Sequence, residues 1–256
     1  MARLPRLYAP RIPQLIQARF FRPLAGDDRA TPSESLDIIA RWLGEAVQGA
    51  NQSTRLLATK QLPHANPQAA TPGAAALAIH AWAVLPEQIV LLATPGDARA
   101  LPLLMQGLGR RMGSGLLRSR VLAGRYRNAL LEPGRWVLPA MVWVESLAVA
   151  DGRVAQADQW PWSSAAEHAG EPVRQGGWLL DHPDFWAAGD TPFARQAAWR
   201  KRLAAGLAAD QAQSLEAALH GQWALGEKIF LAHLGRQASR RIQPAPRGRP
   251  AQNPAA

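Results

Sequence analysis

Trp82-Ala83-Val84-Leu85-Pro86-Glu87-Gln88-Ile89-Val90-Leu91-Leu92-Ala93-Thr94-Pro95 is the stretch that decides the fold. Two apolar runs, Ala76–Leu85 and Ile89–Thr94, are broken by Pro86-Glu87, with Gln88 leading into the second. Each is too short for a helix that buries its whole circumference, and the Pro-containing break between them marks a turn, so they predict adjacent strands of a sheet. Upstream, Gln14–Phe20 alternates: Ile16, Ala18 and Phe20 share one face, while Gln17 and Arg19 share the other. That is the pattern of a half-buried strand. Ser33 then reads as the N-cap of a helix in which Leu36, Ile39, Leu43 and Val47 recur at helical spacing. Residues 50–75, rich in Ala, Asn, Gln, Pro and Thr, predict a flexible loop or insertion.

Downstream, the pattern predicts a helix near Ala98–Gly113, a Gly/Arg-rich turn and a strand near Arg125–Leu131. Arg135–Leu147 is apolar almost all round and predicts a buried helix with an irregularity at Pro139. Beyond Gly170 the chain turns to Gly, Pro and Trp, then to Ala/Leu/Gln helices across 191–235. The expected organisation is an α+β core over 1–170, a helical C-terminal region over 171–235 and a disordered basic tail over 236–256. The core is expected to be an antiparallel sheet of about four or five strands backed by helices.

Composition narrows the function classes. The 256 residues include no cysteine, which removes disulfides, thiol catalysis and Cys-ligated zinc. No apolar run reaches the length of a membrane span, and the Arg/Pro-rich opening lacks a signal-peptide stretch, so a cytoplasmic protein is expected. Twenty-nine basic against 19 acidic residues give a net charge of +10, and all but Lys60, Lys201 and Lys228 of the basic residues are arginine. A GC-rich genome is expected to account for most of that bias. The positions carry more information. Arginines 3, 6, 11, 19 and 22 precede any acid, and Arg99, Arg110, Arg111, Arg118, Arg120, Arg125 and Arg127 lie between Asp97 and Glu132 without a carboxylate. After Glu227 come Lys228, Arg236, Arg240, Arg241, Arg247 and Arg249, again unopposed. Acid-free blocks of this kind favour a polyanionic partner. Pro246-Arg247-Gly248-Arg249-Pro250 looks like the core of an AT-hook, in which glycine permits close approach and two guanidiniums enter an A/T-rich minor groove.

Several landmarks recur together. They are the Arg/Pro-rich opening before the Gln14–Phe20 strand, Trp82-Ala83-Val84-Leu85-Pro86 before a strand ending in Thr94-Pro95, and Gly124-Arg125-Tyr126-Arg127 before a strand ending at Glu132. Val149-Ala150-Asp151-Gly152 follows, with Trp160-Pro161-Trp162-Ser163-Ser164, and later Thr191-Pro192-Phe193 with Leu225-Gly226 and Phe230. In this order they resemble the REP-associated tyrosine transposases, a branch of the single-tyrosine HUH transposases. The resemblance implies a bacterial protein that acts on single-stranded palindromes folded into hairpins, and it leaves a homodimer open. It also implies a divalent metal such as Mg²⁺ or Mn²⁺, held by a His-hydrophobe-His pair, and a nucleophilic tyrosine opening a Tyr-x-x-x-Asn-Pro-Val stretch.

The chain departs from that pattern at each chemical position. The two histidine places fall on Gln88 and Val90, the tyrosine on Trp143 and the asparagine on Leu147. An amide is a weak ligand, valine has no donor atom and an indole cannot form a phosphotyrosine. The expectation is therefore a DNA-binding relative of the transposases with strand nicking lost and no resident metal. Its contacts are expected from Arg110, Arg111, Arg118, Arg120, Arg125, Tyr126, Arg127, Arg247, Gly248 and Arg249. His80 is expected to be a satisfied core histidine, Glu87, Glu132 and Glu145 exposed carboxylates, and Tyr126 a packing or DNA-contacting residue. Two rivals stay open: an active transposase or nuclease with a different metal arrangement, and a scaffold that binds protein partners.

Overall fold

Residues 77–95 form the hairpin that the apolar runs predict. Strands β2 (Leu77–Leu85) and β3 (Gln88–Pro95) pair antiparallel, with Leu85 opposite Gln88 across the two-residue turn. Pro86 presets its own φ for that turn. The turn's carbonyls are taken up from outside the hairpin, Pro86 O by the Leu24 N–H and Glu87 O by the Phe20 N–H. In this computed structural model the chain is described over residues 5–24, 32–61, 77–115 and 121–244.

The sheet has the order β2-β3-β1-β4-β5, with β1 at Gln14–Arg19, β4 at Arg127–Leu131 and β5 at Ala224–Leu225. β1 is central and pairs antiparallel with both β3 and β4. The fold is α+β, as expected, but the sheet is mixed rather than antiparallel: β5 runs parallel to β4. Sequence periodicity could not show this, because a two-residue strand carries no alternation.

Helices cover both faces. On one lie α1 (Pro32–Gln61) and α2 (Ala100–Gly115), burying Ile39, Leu43, Leu104 and Met112 against Ile16, Trp82 and Leu91. Helix α1 starts at Pro32, so Ser33 lies inside it rather than at its N-cap; proline suits a first turn whose N–H groups lack helical partners. The first part of the loop expected over 50–75 is helical instead, because α1 continues to Gln61; residues 62–76 lie outside the described residues. Ala, Gln, Leu and Lys there are adequate helix formers. Asn51 ties the helix to the sheet: its side chain both donates to Leu77 O and accepts from Leu77 N, each at 3.0 Å, as a neighbouring strand would.

The opposite face is covered by α3 (Val137–Glu145), the single turn α4 (Leu147–Ala150), α5 (Ala165–Ala169), α6 (Pro183–Trp186), α7 (Pro192–Ala205) and α8 (Ala209–Gly221). Pro139 does not break α3, since it falls in the first turn. Trp199 of α7 and Leu215 and Leu219 of α8 join Leu15, Val90 and Leu92 in one core. The helical C-terminal region thus packs on the sheet. A third cluster unites Leu7 and Ala9 with Leu234 of α9 (Lys228–Leu234) and Ile242. The described part of the tail expected to be disordered, 236–244, is therefore ordered: Ser239 Oγ accepts from Tyr8 N and donates to Arg6 O, and Ile242 O accepts from Ala224 N. Burial of Ile242 holds it there. The remainder of the tail lies outside the described residues.

One irregularity re-aims a side chain. The β2–β3 register jumps between Ile79 and Ala81, so His80 is an extra, bulged residue. Ile79 and Trp82, three apart, consequently bury into the same core.

Candidate nucleic-acid interface

Alternation along β3 turns Gln88 and Val90 to the same side, and the antiparallel register sets Arg19 opposite Gln88 and Gln17 opposite Val90. At the junction of α3 and α4, Trp143, Ser146, Leu147 and Ala150 follow helical spacing and face the same space. The result is a cleft of about 730 Å³, closed on its far side by Gln213, Glu216 and His220 of α8. Those three recur at helical spacing in the sequence, a signal that identifies a helix face but not what it covers.

The four positions at which the transposase pattern departs are thus brought together. Val90 is fully buried beneath the cleft, with Trp143 and Leu147 packed against its core. Gln88 is half-buried, and its side-chain oxygen accepts from Gln17 Nε2 at 2.6 Å. Trp143 is half-buried and lines the cleft wall. The donor set does not fit a divalent ion, since Val90 offers no atom and the Gln88 oxygen is already engaged. Among the described residues no three His, Asp or Glu side chains are grouped to hold a metal.

The polar rim carries charge of both signs. Arg19 and Arg127 stand on it, as do Asp151 and Glu216. Arg127 donates to His220 Nδ1 at 2.6 Å, which fixes its guanidinium toward α8. Chemically, two guanidiniums, three primary amides and an indole suit phosphate contact and base stacking.

The predicted arginine block does not form one surface. Arg110 and Arg111 lie on exposed positions of α2, on the sheet face opposite the cleft, and Arg111 is ion-paired with Glu45 and lies over the Trp42 ring. Arg125 is exposed in the turn before β4, and among the described arginines of that block Arg127 alone lines the cleft. Tyr126 is core rather than a DNA contact: it is buried, Arg6 lies 4.0 Å over its ring, and burial pushes its hydroxyl up to about 12. Arg118, Arg120, Arg247, Gly248 and Arg249 lie outside the described residues. Arg19 was not among the individual contacts expected, although it belongs to the first acid-free block; its place on the polar face of β1 was the further signal.

The histidines and carboxylates divide differently from expectation. His80 is the satisfied core histidine expected. Its Nδ1 donates to Leu180 O at 2.5 Å, its Nε2 accepts from Thr94 Oγ1 at 2.9 Å, and burial lowers its pKa to about 4. Glu87 forms a two-pronged pair with Arg153, at 2.9 and 2.8 Å, and Glu132 accepts from Glu227 N. Glu145 corrects the reading of an exposed carboxylate. It is 1% exposed and accepts from Ser164 Oγ, His168 Nδ1 and Trp199 Nε1. Three donors converging from α5, α7 and the turn before α5 make its burial tolerable, and that convergence has no signature in local sequence.

No family model matches the chain, and no curated protein matches it. A solved structure is similar in part. It is a REP-associated tyrosine transposase bound to a REP hairpin, 15% identical, covering 72% of this chain and 96% of that one with a TM-score of 0.44. No described helix is long and apolar enough to cross a membrane.

Proposed function

We propose that this chain is a DNA-binding protein of the tyrosine-transposase kind, which holds single-stranded or hairpin DNA at the cleft between β1, β3, α3 and α8 and no longer nicks it. The observation that carries the proposal is the cleft itself: Arg19, Arg127 and the half-buried Trp143 border the site where the transposase pattern would place its metal and nucleophile. Guanidiniums hold the backbone, and the indole offers a surface for an unpaired base. Gln88 and Val90 leave no ligand set for the metal, and Trp143 no hydroxyl for a covalent intermediate.

Binding of the full chain to a labelled hairpin, titrated with salt, tests this. Arg19→Ala with Arg127→Ala is expected to weaken binding and to flatten the slope of log affinity against log salt by about 1.4, roughly 0.7 for each lost single-strand phosphate contact. The hairpin is expected to stay intact with Mg²⁺ or Mn²⁺. Metal-dependent cleavage would establish an active nuclease instead, and absence of binding at low salt would leave a protein-interaction scaffold.

A further inference from the structure

A second cavity, of about 760 Å³, opens at the other end of the β2–β3 hairpin, lined by His80 and Thr94 of the strands and by His168, Asp181, His182 and Trp186. It is separate from the cleft, since Gln88 and Thr94 occupy opposite ends of β3. His168 is the unusual group within it. The imidazole is 3% exposed and locked in place: Nδ1 binds Glu145 at 2.5 Å, and the rings of Phe185 and Trp199 lie 4.7 and 5.7 Å away. Its other nitrogen, Nε2, is buried without a hydrogen-bond partner and faces Asp181 Oδ1 at 3.9 Å, too far for a direct bond. A buried donor left unsatisfied is destabilising, so something that accepts from Nε2 belongs in the gap. Burial alone would lower the His168 pKa, but Glu145, Asp181 and Glu167 hold it above its ordinary value, which favours a proton on Nε2 and makes it a donor.

The mouth of the cavity supplies a flat surface. Trp186 is 54% exposed, and one face of its ring is covered by the Arg195 guanidinium at 4.1 Å. Arg195 is itself anchored, donating to Gly189 O at 3.0 Å. A hydroxyl or a water could join Nε2 to Asp181 but would leave the indole bare. A planar ring with a carbonyl oxygen beside an N–H satisfies all three: the oxygen accepts from His168, the N–H donates to the Asp181 carboxylate, and the ring stacks on Trp186.

The geometry points to a binding site for a keto-imino heterocycle, the class of guanine, thymine and uracil, held by His168, Asp181 and Trp186. Glu145 acts here as a positioning residue that fixes the imidazole. The inference stands apart from the DNA-binding cleft and does not rest on it. The heterocycle has two sources, a free mononucleotide or an unpaired base of a strand.

Calorimetric titration of the full chain with guanosine, thymidine and adenosine 5′-monophosphates, with ribose 5-phosphate as the phosphate control, tests the inference. Saturable binding is expected for the keto bases, with adenosine monophosphate and ribose 5-phosphate at least about ten-fold weaker. Trp186→Ala, at an exposed position, is expected to weaken binding about ten-fold or more, the size of a lost stacking contact. Asp181→Ala is expected to remove the preference for keto bases. A short single-stranded oligonucleotide competing with the mononucleotide would identify the strand as the source; failure to compete would identify the free nucleotide. Absence of saturable binding by any of these probes, or binding unchanged in both variants, overturns the inference. Loss of hairpin binding in the Arg19/Arg127 variant with mononucleotide binding retained would leave each site standing by itself.

Discussion

Glu145→Ala is expected to be the most damaging single substitution in the molecule. The carboxylate accepts from Ser164 Oγ at 2.6 Å, from His168 Nδ1 at 2.5 Å and from Trp199 Nε1 at 2.8 Å, all inside the core. Removing it takes that acceptor from the buried His168 and Trp199 N–H groups, leaves Ser164 Oγ only its longer contact to Trp82 O at 3.4 Å, and strips the counter-ion from a buried imidazole. Breaking a buried ion pair of this sort costs about 3–5 kcal/mol. For a chain of this size each kcal/mol shifts Tm by roughly 2–4 °C, so a fall on the order of 10 °C is expected in a thermal melt. Glu145→Gln is expected to fall less, because an amide oxygen still accepts from one donor. The same centre sets a pH dependence. His168 is held above its ordinary pKa despite the opposing effect of burial, by Glu145 first, with Asp181 and Glu167 contributing. A group raised on folding stabilises fully below its unfolded pKa of about 6.5 and loses that contribution as pH rises through the folded value. Wild-type stability is therefore expected to decline with rising pH above about 6.5, a slope that His168→Phe removes. A Glu145→Ala protein that melts within about 2 °C of wild type would show that water replaces the carboxylate at no cost.

Restoring the chemical residues of the transposase pattern is expected to harm rather than revive the protein. In the triple variant Gln88→His, Val90→His and Trp143→Tyr, the central change falls on Val90, which is fully buried among Leu15, Leu92 and Val142. A larger, polar ring there lacks a partner and overfills the core, at about 1–3 kcal/mol for each effect. A Tm loss on the order of 10 °C is expected, with no added stabilisation by Mg²⁺ or Mn²⁺. Gln88→His alone, at a half-buried position that already faces solvent, is expected to be nearly neutral. Recovery of metal-dependent hairpin cleavage at wild-type stability would mean that the core had kept room for the site after its side chains were exchanged.

Much of the sheet was legible because its signals are local. The Pro86-Glu87 turn, the alternation of Gln14–Phe20 and the spacing of Leu36, Ile39, Leu43 and Val47 each point to an element that the structure contains. The same logic relates Gln88 to Val90 along a strand and Trp143 to Leu147 along a helix, whereas the meeting of the two pairs was implied by the resemblance to the transposases and not by spacing. Contacts between distant residues escaped it. Glu145 is buried because of Ser164, His168 and Trp199, none of them its neighbour in sequence. The bulge at His80 breaks an alternation that reads as continuous, and β5 is too short to show one. The arginine block between Asp97 and Glu132 is contiguous in sequence yet divided by the sheet, because α2 and β4 deliver their side chains to opposite faces.

The pairing of the chain's two ends bears on the order in which the molecule can be made. Leu7 and Ala9 find their hydrophobic partners in Leu234 and Ile242, and Tyr8 exchanges hydrogen bonds with Ser239, more than 230 positions away. A polypeptide emerging from the ribosome at about 5–20 residues per second presents the first partner more than ten seconds before the second. From its own synthesis midway through that interval until residues 224–225 emerge, β4 has one edge open, for the strand that closes it is Ala224–Leu225. Unpaired strand edges invite pairing with other chains. Contacts this distant in sequence also slow the search for the native topology. Nascent chains stalled before residue 224 are thus expected to be the aggregation-prone species, and release beyond residue 242 the step that seals the sheet.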